Sequence, residues 1–157
     1  MKFLVTNELK HKTLISTLML AVSIVLFCYL ASDILLHSYV IGSDMHSIAS
    51  TLYGNEEAFI EPILLDSLLL QVHIDVFMSL ISIMILASIY IRFYSDRAAT
   101  KWFVHSVFLL NLLAPILLII AFFTSMSFAY LWVVSFLLGH GLAMFMALAI
   151  IKRLWFK

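Results

Sequence analysis

Four long stretches of this chain are apolar with scarcely an interruption, at about 13–36, 64–91, 102–124 and 128–151. A helix rises 1.5 Å per residue, so roughly 20 apolar residues cross the hydrocarbon layer of a bilayer. Each stretch meets that length. The pattern predicts an all-α membrane protein: a four-transmembrane-helix bundle forming one integral membrane domain over residues 1–157. The first stretch follows a basic start, but it is longer than a signal-peptide core and no A-x-A cleavage motif follows it, so it reads as a retained span.

The connection over residues 37–63 carries local signals of its own. Ser43 and Asp44 offer a cap for a short helix, MHSIASTLY, that Gly54 would end. This segment reads as an amphipathic helix on the outer surface. Asn55 followed by Glu56 and Glu57 reads as a second helix start, and Pro62 stands where the first turn of span 2 tolerates proline.

Composition sharpens the class. Of the 157 residues 64% are hydrophobic and 11% charged, whereas a soluble domain carries about a quarter charged residues. Cys28 is the only cysteine, which excludes an intrachain disulfide, a CxxC redox pair and a c-type haem attachment motif. The placement of charge says more than its zero sum. Lys2, Lys10 and Lys12 precede span 1; Arg92, Arg97 and Lys101 separate spans 2 and 3; Lys152, Arg153 and Lys157 follow span 4. Asp44, Glu56, Glu57 and Glu61 occupy the other side, which has no Lys or Arg. The positive-inside rule then predicts both termini in the cytoplasm and a bacterial inner (plasma) membrane location. No basic cluster is large enough for nucleic acid, so the expected partners are the lipid bilayer and other membrane subunits or a second copy.

Ionisable residues inside the spans are the candidates for chemistry, because each costs on the order of 3 kcal/mol to insert. At about 100° per residue, Gln71, Asp75, Ser79 and Ser82 form one stripe of span 2, and Asp66 and His73 lie nearly opposite. His73 and Asp75 point about 160° apart and cannot serve one small site. Polar residues on two faces predict span 2 as the buried centre of the bundle. Ser135, Gly139, Ala143 and Ala147 recur every four residues along span 4 and predict a close helix contact. In span 3, Pro115 frees the carbonyl of Asn111, and the Asn111 side chain stands where it can rebuild the local network.

Three kinds of site follow. Histidines on separate membrane helices suggest b-type haem, with His73, His140 and His105 as candidate ligands. Counted inward from the nearest basic residue, His105 lies about 6 Å deep, His140 about 18 Å, His73 about 28 Å and His37 about 37 Å, so no pair matches in depth. The second is an outer-leaflet cluster of Asp33, His37, Asp66 and His73, with His46 or Glu61 from the loop. Imidazole and carboxylate together suit a divalent metal, or protons exchanged with a quinol. The third is a proton or ion path stepping from His73 and Asp75 through His140 to His105. No HExxH, phosphate loop or nucleophile with a matched base accompanies them. The pattern therefore points to a small accessory or interaction subunit of a larger membrane complex rather than an enzyme, with a haem- or quinone-linked electron-transfer subunit as the alternative.

Overall fold

A computed structural model describes residues 2–95 and 98–156, with side chains placed for 13–95 and 99–156. Arg97 and Lys157, and the side chains of Lys2, Lys10 and Lys12, lie outside the described residues. The chain forms α1 (Lys2–Val40), α2 (Met45–Tyr53), α3 (Leu65–Tyr94), α4 (Ala98–Phe123) and α5 (Met126–Trp155). Four segments, Thr13–Val40, Leu65–Tyr94, Ala99–Phe123 and Met126–Trp155, are long and apolar enough to cross a membrane. They coincide with the predicted spans, each helix running a few residues further.

The short α2 is the helix expected from MHSIASTLY. Asp44 is its N-cap, accepting hydrogen bonds from the backbone N–H groups of His46 and Ser47, and Gly54 is its C-cap. Gly42 makes the turn into it with φ +139°, a left-handed conformation that favours glycine. A Cβ there would also lie 2.5 Å from Ser47 Oγ and 2.7 Å from the Ile48 nitrogen. Ile48 and Leu52 are buried, and the Tyr53 hydroxyl donates to the Ala121 carbonyl at 2.7 Å. The helix therefore caps the end of the bundle. The second helix start expected at Asn55 does not form. Asn55 and Ile60 instead exchange backbone hydrogen bonds of 2.8 and 2.9 Å around a tight loop, and the Asn55 side chain accepts from the Ala58 N–H at 3.2 Å. An asparagine side chain that satisfies a nearby N–H stabilises a turn as readily as a helix cap.

The expectation that span 2 is the centre is corrected: α5 holds that place, packing on α1, α3 and α4 and touching α2. Ser135, Gly139, Ala143 and Ala147 are all buried within the chain. A Cβ on Gly139 would stand 2.6 Å from Asn111 Nδ2, so glycine sets the close approach of α5 to α4. Asn111 Nδ2 donates to the Val107 carbonyl at 2.9 Å, one turn before the site Pro115 frees, while its Oδ1 is buried with no hydrogen-bond partner. In contrast, α3 exposes Leu69, Leu70, Ile74, Phe77 and Met78 along one side. The second polar face of span 2 belongs to that exposed side and does not mark a packing partner within the chain.

Two apolar cores fill the bundle. One, near α2, contains Ile41, Val72, Leu118, Trp132 and Phe136. The other, toward the Lys/Arg-bearing ends, contains Leu30, Ile83, Val107, Ala143 and Met146. Between them along α1, α3 and α5 come Asp33, His37, Asp75, Ser79 and His140, all buried.

Candidate functional site

The polar layer is a ladder of side chains from three helices. On α3, Gln71 Nε2 donates to Asp75 Oδ1 at 2.9 Å. The other oxygen, Asp75 Oδ2, faces His37 Nε2 of α1 at 2.9 Å. His37 Nδ1 stands 2.9 Å from the backbone carbonyl of Asp33 and 3.6 Å from Asp33 Oδ1. Asp33 Oδ2 then faces His140 Nε2 of α5 at 2.8 Å. His140 Nδ1 ends the ladder on the Phe136 carbonyl at 3.1 Å. The Phe136 ring lies between the two imidazoles, with centroids 4.5 Å from His37 and 4.1 Å from His140.

Helix periodicity builds each rung. Asp33 and His37 are four residues apart on one face of α1, as are Gln71 and Asp75 on α3. Each histidine sends Nδ1 back to the carbonyl four residues earlier and so presents Nε2 across the helix interface. Ser79 continues the α3 stripe one turn on, and half-buried Tyr29 stands against it.

That geometry constrains where hydrogens sit. A carbonyl only accepts, so Nδ1 of each histidine carries a hydrogen. Each Nε2 then faces a carboxylate oxygen at hydrogen-bond distance, and that contact needs one proton between two acceptors. The proton rests on the imidazole or on the carboxyl, and in either case the pair is neutral overall. With one proton shared in each of the two contacts, the two aspartates and two histidines form a layer without net charge, which is the form a low-dielectric interior tolerates.

The site differs from each set read in the sequence. Of the expected cluster, Asp33 and His37 take part, but Asp66 and His73 do not: both are exposed on α3. Asp66 accepts from the Ser67 N–H at 2.9 Å in the first turn, where a carboxylate suits the helix N-terminus. His46 and Glu61 are exposed as well. Of the haem candidates, His140 is buried in the ladder. His105 is exposed on α4 with Nδ1 2.6 Å from the Lys101 carbonyl, and His73 is exposed on α3, so the three do not converge. The predicted stripe is brought inside: Asp75, Ser79 and Ser82 are buried and Gln71 is half-buried.

Asp75 and His140 join Asp33 and His37 because Lys12 on α1 does not stand level with Lys152 on α5. Twelve residues separate His140 from Lys152; the same twelve back along antiparallel α1 from Asp33 reach only Ala21. Lys12 lies about 13 Å beyond that level, since α1 continues unbroken. Once this offset is removed, Asp75 at about 26 Å and His140 at about 18 Å are bridged by the one turn, about 6 Å, from His37 to Asp33.

One donor atom each of Asp33, His37 and Asp75 lies within 4.8 Å of the others, an arrangement with the composition of a metal site. The 2.9 Å contact between His37 and Asp75 is nevertheless a hydrogen-bond length, whereas ligands of one tetrahedral ion stand about 3.3 Å apart. Outside the spans, the backbone N–H of Ser47, its hydroxyl and the His46 N–H hold the Asp44 carboxyl below the usual carboxylate range. Burial pushes the Tyr53 hydroxyl up.

Four membrane-length helices around a buried polar layer define a small multi-pass membrane protein, with the bilayer as its surroundings. Residues 42–157 match the Aq_1264_TM family profile, described as a transmembrane helical domain, and the chain belongs to that family. None of the curated proteins and none of the solved structures matches the chain. The matched stretch holds Gln71, Asp75 and His140, while Asp33 and His37 precede it.

Proposed function

We propose that this protein is a non-enzymatic subunit of an inner-membrane assembly whose working site is the Asp75–His37–Asp33–His140 ladder, a reservoir of exchangeable protons. The observation that carries this reading is the pairing of two Nδ1 anchors on carbonyls with two Nε2 contacts on carboxylates. Histidine paired with a carboxylate can hold and release a proton, and buried ionisable residues in membrane helices commonly serve proton transfer. The test is infrared difference spectroscopy of the lipid-reconstituted protein between alkaline and acid pH. The carboxyl C=O band is expected to change, and Asp33→Asn and Asp75→Asn should each remove part of the change. A spectrum indifferent to pH would defeat the reading. Metal analysis of the purified protein addresses a divalent ion on Asp33, His37 and Asp75, which would have to displace the proton shared by His37 and Asp75 and part that pair by about 0.4 Å.

The subunit role has its own support. His73 is exposed on α3, eight residues or about 12 Å beyond Leu65, beside apolar Ile74 and Phe77. An imidazole at that depth is costly against lipid and is better met by a hydrogen-bonding group of a neighbouring membrane helix. The cytoplasmic placement of both termini rests on the nine Lys and Arg residues, all at one set of helix ends. Reporter fusions at either end should both read cytoplasmic; a periplasmic signal from one end would overturn that topology.

A further inference from the structure

A pocket of about 260 Å³ opens beside α2 and reaches the ladder. Ser43 and Asp44 stand at its exposed rim, Ile34, Trp132 and Phe136 form its walls, and His37 lies at its floor. The volume admits several water molecules, and the Asp44 carboxylate with the Ser38 and Ser43 hydroxyls offers them partners. The opposite approach is different. Below His140, Leu30, Ile83, Leu86, Val107, Met146 and Ile150 are fully buried and form a largely apolar plug toward the Lys/Arg ends, with the hydroxyls of Ser23 and Ser82 its buried polar groups.

Accepting the ladder as a proton reservoir, we infer that it exchanges protons with the loop side alone, through the pocket over His37. The protein is then a one-sided proton site and not a path across the membrane. The titratable groups around His37 agree with a single access. Asp33 and Tyr29 come from α1, Asp75 from α3 and His140 from α5, while Asp44 stands at the mouth. Among the described residues α4 brings no titratable group to the ladder, since its His105 and Lys101 are exposed near the other end. The acidic loop face, with Asp44, Glu56, Glu57 and Glu61 and no Lys or Arg, also concentrates cations at the mouth.

Trp132 supplies a reporter, because its ring centroid is 6.4 Å from that of His37 and a protonated imidazole quenches indole fluorescence. The experiment uses the full chain in vesicles with Cys28→Ser, Trp102→Phe and Trp155→Phe, leaving Trp132 as the single tryptophan, and adds Ser43→Cys at the mouth. A bulky membrane-impermeant maleimide both plugs the mouth and reports which face is outward. After an acid jump on the loop side, labelling should slow the Trp132 response about tenfold without moving its end point. Ser38→Phe, whose native hydroxyl bonds only to Leu35 of its own helix, should slow it likewise. Equal rates with open and plugged mouths, or a fast response to acid on the other side, would overturn the one-sided route. A Trp132 signal indifferent to pH would overturn it too, and the infrared carboxyl band then tells whether the proton reading falls with it.

Discussion

Asp75 accepts from Gln71 on its own helix and meets His37 on another, so its loss removes the partner of the half-buried Gln71 amide and of buried His37 Nε2. Interhelical hydrogen bonds in membranes average well below their expected strength, because the unfolded chain in lipid also finds partners. Asp75→Ala is therefore expected to cost about 1–2 kcal/mol, and Asp75→Asn, which keeps a hydrogen-bonding group toward His37, less than about 1 kcal/mol. His73→Ala in the isolated protein should be neutral within about 0.5 kcal/mol. Denaturation of the detergent-solubilised variants would rank the three; a His73 variant as damaged as Asp75→Ala would mean that the exposed face of α3 matters to the fold. Gly139→Ala poses a steric question at the same scale. The new methyl would meet the Asn111 amide at 2.6 Å, and Asn111 is itself buried and bonded to Val107. Overpacking of this kind costs about 1–3 kcal/mol, read as a lowered melting temperature in detergent. Should Asn111→Ala relieve that loss, the contact is confirmed as its cause.

Elements differ in how far their sequence declares them. The four spans are legible because apolar length is a sufficient cause of a membrane helix, and α2 is legible because Asp44 and Gly54 cap it by local chemistry. The ladder was half legible. The i, i+4 pairs Asp33–His37 and Gln71–Asp75 follow from helix geometry, but the pairing of Asp75 with His37 and of Asp33 with His140 depends on how far α1 slides past α3 and α5. No single residue encodes that register, and Lys12 gave a false level for it. Likewise, the small-residue ridge announces a close contact, while only the packed structure assigns its partner to α4. The capping of α2 has a measurable pH signature. The folded-state pKa of Asp44 is lowered, chiefly by the Ser47 backbone N–H. Its contribution is thus fully present above the unfolded carboxylate value of about 4 and is lost as pH falls through the lower folded value. Hydrogen exchange at the Ile48 amide should accelerate relative to the bundle across that acid window. Asp44→Asn, which caps without titrating, should flatten the dependence; an unchanged profile would place the cause elsewhere.

For the whole molecule, the question is whether buried protons can cross. A conducting bundle needs donors and acceptors spaced closely from face to face, whereas here they occupy one layer. From His140 to the level of Lys152 is about 18 Å. Along that distance the interior is mostly Leu, Ile, Val, Ala and Met, interrupted by the buried hydroxyls of Ser23 and Ser82, and the next histidine, His105, faces outward from α4. Ser23 donates to the Met19 carbonyl of its own helix, and serine hydroxyls separated by apolar side chains make no continuous proton route, since water enters only cavities that offer it polar partners. Vesicles containing the protein should therefore hold an imposed pH gradient as long as protein-free vesicles do, and Asp33→Asn should change nothing in that assay while altering the infrared band. Introducing a polar route is the complementary manipulation. Ile83→Asp and Met146→Asp together would place carboxyls in the lower core near the middle of the gap, and a leak that appears only in this double variant would identify the apolar plug as the barrier. A leak in the unaltered protein that Asp33→Asn abolishes would mean instead that the lower core opens in the bilayer and that the ladder is one station on a continuous path.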